Sequence, residues 1–79
     1  MDGDNMKKLI VTYTVSSADY SETQIAYSKT RESEKTETEA KDVMKRVFES
    51  TKIEYNEHLT VELLIIENEN QKTLGKLEK

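Results

Sequence analysis

Cysteine and proline are absent from these 79 residues, glycine occurs only as Gly3 and Gly75, and histidine only as His58. Without cysteine there is no disulfide framework, no thiolate nucleophile and no cysteine-based zinc site, which suits a reducing compartment. Without proline, nothing forces a break inside an element. Two isolated glycines cannot build a phosphate-cradling loop, and no serine-centred nucleophile motif is present. Long apolar runs are missing too. Lys7 and Lys8 precede Leu9, Ile10 and Val11, but Thr12 and Thr14 then interrupt the run. The segment is therefore expected to be a strand of a cytoplasmic protein rather than a leader, and no stretch approaches membrane-spanning length.

Charge of one sign is never concentrated. The formal net charge is −4; residues 1–31 carry four acids and four bases, and residues 32–50 and 51–79 each carry six and four. No basic stripe is available to neutralise a phosphate backbone, which counts against nucleic-acid binding. Apolar residues make up 34% and charged residues 35%, so a modest core is expected, and only because the apolar residues cluster in periodic segments.

Residues 1–6 (MDGDNM) read as a flexible tail and residues 7–67 as one α+β domain. Leu9, Val11, Tyr13 and Val15 alternate with polar or mixed positions over 7–15, the pattern of a half-buried strand. SSADYSE (16–22) is a turn cluster, and 23–30 reads as a second strand with Ile25 and Tyr27 on its core face. Because both strands place their apolar residues at odd numbers, the hairpin loop should hold an odd number of residues unless a bulge intervenes.

The helix signal is the strongest. Ala40, Val43, Met44, Val47 and Phe48 follow helical spacing without exception. Thr36 with Glu39 suggests a capping box, Ser33 is a competing cap, and Glu37–Lys41 and Asp42–Arg46 are favourable pairs one turn apart. Phe48, the largest residue on the stripe, is expected to anchor the core. A connector, 50–57, follows, in which Ile53 and Tyr55 are candidates for a short extension of the next strand, and then Leu59 to Ile66, which is apolar on both faces from Leu63 onward. Residues 68–79 are polar and read as loose, or as a weak helical turn carrying Leu74 and Leu77.

The order β-β-α-β with a right-handed crossover predicts a three-stranded sheet ordered 2-1-3, with the helix on one face. The helix can cover only that face. The other would display Ile10, Leu64 and Ile66 among Ser and Thr. These three either form an apolar patch for a partner or lie beneath Leu74 and Leu77.

Candidate chemistry is sparse. His58 has no companion at ligand or relay spacing. Glu32, Glu34, Glu37 and Glu39 suit a solvated helix start better than a paired-carboxylate site or a calcium loop. Tyr13 and Tyr27 fall on the core face, whereas Tyr20 in the serine-rich loop is a candidate contact residue.

The expectation is a non-catalytic protein-interaction or regulatory module, able to form a homodimer, that uses Ile10, Leu64, Ile66 and Tyr20 or an edge strand. Its alternative is a nucleic-acid-associated protein using the sheet or hairpin. No cofactor, metal, membrane or small-molecule ligand is inferred. Chelator should accordingly leave the far-ultraviolet circular dichroism and the melting temperature unchanged; a loss of structure reversed by zinc or calcium would refute this.

Overall fold

The computed structural model describes residues 7–79, so the tail assigned to residues 1–6 lies outside the described residues. The elements are β1 (Lys7–Ser16), β2 (Ser21–Thr30), α1 (Glu34–Ser50), β3 (His58–Glu67) and β4 (Asn70–Glu78). All strand pairs are antiparallel, and the sheet order is β2-β1-β3-β4. The expected 2-1-3 arrangement is thus present but extended by a fourth strand. The segment 68–79 is neither loose nor helical: β4 pairs with β3 from Glu67–Asn70 to Thr60–Glu78. Leu59 and Lys79 then exchange both backbone hydrogen bonds.

The β3–β4 hairpin turns without a glycine. Its turn residues Asn68 and Glu69 both have positive φ, 50° and 70°. Two left-handed residues make the turn whose twist suits a two-residue hairpin, a position where Asn-Gly is the usual sequence signal. Glutamate supplies no such signal, because a side chain at positive φ is disfavoured.

The helix-side core is built by strict alternation. Leu9 and Val11 of β1 and Leu59, Val61, Leu63 and Ile65 of β3 are buried against Ala40 and Met44 of α1. Tyr13, Val15, Tyr27, Val43, Val47, Phe48, Ile53 and Leu77 pack around them. Phe48 is therefore not the anchor. It is half-buried at the edge of the core, with the Lys79 ammonium 5.0 Å from its ring centroid. Small Ala40 and pliant Met44 hold the centre instead. Beneath Met44 lies Gly75 of β4, where an added Cβ would come within 3.3 Å of the Met44 methyl.

Ser33 is the N-cap of α1, without a side-chain capping bond, and Thr36 is buried inside the first turn. The C-terminal carbonyls are met by hydroxyls: Ser50 Oγ donates to the Arg46 carbonyl at 2.6 Å and Thr51 Oγ1 to that of Val47 at 2.7 Å. In the connector Ile53 joins the core, but Tyr55 lies in a turn and is fully exposed, so neither extends β3.

The β1–β2 loop, Ser17–Tyr20, has four residues rather than an odd number, and the register shifts between Val11 and Thr12. Ala26 is the extra residue: Val11 pairs with Tyr27, but Thr12 pairs with Ile25. The bulge restores Tyr27 to the helix side and sends Ile25 to the opposite face. Ile25 was expected in the core; it is 65% exposed.

Glu69→Gly should raise stability by about 1 kcal/mol, because glycine accepts the left-handed conformation that glutamate resists. Denaturant titration checks this, and an unchanged or lower midpoint would show that the turn is not strained.

Candidate protein-interaction face

The sheet face away from α1 is assembled by the pairing of β1 with β3. Ile10 stands directly opposite Leu64, and Ile66 follows two residues along β3, opposite Lys8. All three are half-buried by their neighbours in the sheet, and among the described residues no helix or strand packs above them. Ile25, which the sequence pattern placed elsewhere, completes the group through its pairing with Thr12, two residues from Ile10. Only the bulge puts it there, and the sequence around Ala26 carries no signal for a bulge.

Beyond this patch the face is hydroxyl-rich. Thr14 and Thr23 are linked by a 2.8 Å hydroxyl hydrogen bond, and Thr60 lies opposite Thr14. Tyr20 is 48% exposed at the loop tip, where the Ser17 N–H donates to its carbonyl at 2.8 Å. It sits past the Ser16–His58 pair, at the end of the sheet remote from Ile66, so it does not join the patch. Leu74 and Leu77 do not cover the patch. Leu77 is opposite Val61 on the helix side, and Leu74, at a second register shift, is 41% exposed.

The ionisable groups serve mainly to attach α1 to β2. The Tyr27 hydroxyl donates to Glu39 Oε1 at 2.7 Å, and Lys29 Nζ approaches the same oxygen at 3.3 Å. These contacts hold the Glu39 carboxyl below its ordinary range, the tyrosine hydrogen bond first and the lysine second. Burial, then the nearby carboxylate, pushes Tyr27 from 10.0 up to about 12. Arg31 pairs with Glu37 at 3.0 Å, and Lys41 with the other oxygen of Glu37 at 3.4 Å.

His58 is exposed opposite Ser16. Among the described residues no three His, Asp or Glu side chains converge as metal ligands. A shallow cleft of about 370 Å³ lies at the β3–β4 turn, lined by Ile65, Glu67, Asn68, Asn70 and Lys72. A second, of about 320 Å³, lies at the start of α1, where its cations Lys7 and Arg31 are already paired with Glu67 and Glu37. Ser33, which lines the second cleft beside Glu32 and Glu34, is the N-cap of α1. No helix among the described residues is long and apolar enough to cross a membrane.

Comparison with protein-family models, with characterised proteins and with solved structures yields no match.

The burial of Tyr27 and its contact with Glu39 together have a pH signature. A tyrosine whose folded pKa exceeds its unfolded value stabilises the fold fully below pH 10, and that contribution disappears as pH rises from 10 towards 12. The melting temperature of the parent should therefore fall more steeply across this window than that of Tyr27→Phe. Parallel curves would mean that the contact contributes nothing.

Proposed function

We propose that this chain is a small, non-catalytic interaction or regulatory module that holds a protein partner against its open sheet face. The reading rests chiefly on the contiguity of Ile10, Leu64 and Ile66 on a face that the single helix leaves uncovered. Contiguous apolar surface rimmed by polar groups is characteristic of interaction sites. The exposed Ile25 enlarges the patch. The electrostatics agree with a non-catalytic role, because the strongest interactions of Tyr27, Lys29 and Glu39 tie the helix to the sheet.

Pairing through an outer strand is the competing mode of binding. Both outer strands are irregular, β2 at Ala26 and β4 at Leu74, which interrupts the row of backbone groups that a docking strand would need. The face is therefore the better candidate surface.

Affinity capture from the native cell separates the two modes. Leu64→Lys places a charge in the centre of the face and should reduce partner recovery at least tenfold, since an unpaired charge in an interface is strongly unfavourable. Lys72→Pro, which perturbs the β4 edge from the helix side opposite Ile65, should leave recovery largely intact. The reverse pattern would assign binding to the edge, and equal recovery by all three baits would remove the face from consideration. Circular dichroism must show a folded monomer in each case; unfolding by Leu64→Lys would mean that the face is core.

A further inference from the structure

Resting on the reading of the open face as an interaction surface, we infer that its occupant is a second copy of this chain, docked face to face. The size of the face supports this choice. Four strands of nine or ten residues, about 4.8 Å apart at about 3.3 Å per residue, span roughly 600 Å². One docked helix, about 10 Å wide, covers only about half that width. An identical sheet covers all of it, and the two faces together bury roughly 1,200 Å², the lower bound for a specific interface.

Charge points the same way. The chain carries −4 overall, yet the open face carries Lys8 and Lys76 against Glu62 and Glu78, with Glu62 directly opposite Lys76. A strongly charged partner would gain nothing from this balance, and two copies can meet here without net repulsion.

Register supplies the third argument. A twofold axis between β1 and β3, parallel to the strands, superposes β1 of one copy on β3 of the other and β2 on β4. Ile10 then faces the partner's Leu64, and Thr14 faces the partner's Thr60. Thr12 brings its hydroxyl to the partner's Glu62 and Thr23 to the partner's Glu78, while Ile25 covers the stem of the partner's Lys76. Ile66 lies on the stem of the partner's Lys8, near the start of β1. No carboxylate meets a carboxylate and no ammonium meets an ammonium. Packed sheets keep their strands within about 30° of each other, so the pairs nearest the axis survive the twist. The product is a β-sandwich with a helix on each outer surface.

Sedimentation equilibrium of the purified full chain should show a concentration-dependent monomer–dimer equilibrium. The double substitution Ile10→Thr, Leu64→Thr keeps strand-compatible residues and should raise the dissociation constant at least tenfold, with circular dichroism unchanged. The lack of cysteine permits a geometric test. An equimolar mixture of Ile10→Cys and Leu64→Cys chains, treated with a short bismaleimide, should give more cross-linked dimer than either variant alone. A chain that remains monomeric at all concentrations overturns the inference, and so does a dimer indifferent to the double substitution. If a different protein is captured through the face by a monomeric chain, the second copy is excluded while the interaction reading stands.

Discussion

The pairing of β1 with β3 is the constraint on which everything else rests. It runs without a register shift from Lys7–Glu67 to Ser16–His58. One set of alternate residues therefore meets the helix all along both strands: Leu9 with Ile65, Val11 with Leu63, Tyr13 with Val61, Val15 with Leu59. The other set, including Ile10 with Leu64, meets no second layer among the described residues. A slip of one residue would exchange the two faces and turn every buried leucine and valine outward. In a domain this small, which has little apolar surface to spare, such a slip would cost most of the core.

The helix is placed by complementary means. Ala40 lets its backbone approach the sheet, and Met44 adapts to the gap above Gly75. Glu37 and Glu39 then reach sideways to Arg31, Lys29 and Tyr27 at the β2 side. The ion pairs are exposed at Lys29–Glu39 and half-buried at Arg31–Glu37, and surface pairs contribute little energy individually. Their geometric effect is larger, since they hold an outer strand whose own side chains are mostly exposed. Of the four acids at the helix start, Glu37 and Glu39 are thus engaged in attaching α1 to the sheet.

Much of this was legible in the residues. The helical stripe, the alternation in β1 and β3, and the crossover rule yield the helix, three strands and their order. The same alternation brings Ile10, Leu64 and Ile66 to one face. What escaped was decided by backbone geometry without a residue signature. The Asn68–Glu69 turn has the conformation of an Asn-Gly turn without the glycine. The irregularity at Ala26 separates Ile25 from Tyr27, which strict alternation would keep together. Phe48 illustrates a different limit: spacing identifies the apolar stripe, but not which of its members sits over the middle of the sheet and which overhangs its border.

The two displaced residues, Ala26 and Leu74, lie one in each outer strand. Fibril growth requires strand after strand to be added along the hydrogen-bonding direction at a uniform spacing of about 4.8 Å. An outer strand that carries an extra residue is locally kinked and over-twisted, and it offers an incoming strand a broken ladder. The segment best suited to cross-β stacking, Leu63–Ile66, is enclosed between β1 and β4. The same irregularities that defeat alternation in the sequence thus break the ladder of both outer strands, which opposes the addition of further strands to a sheet with an apolar interior strand.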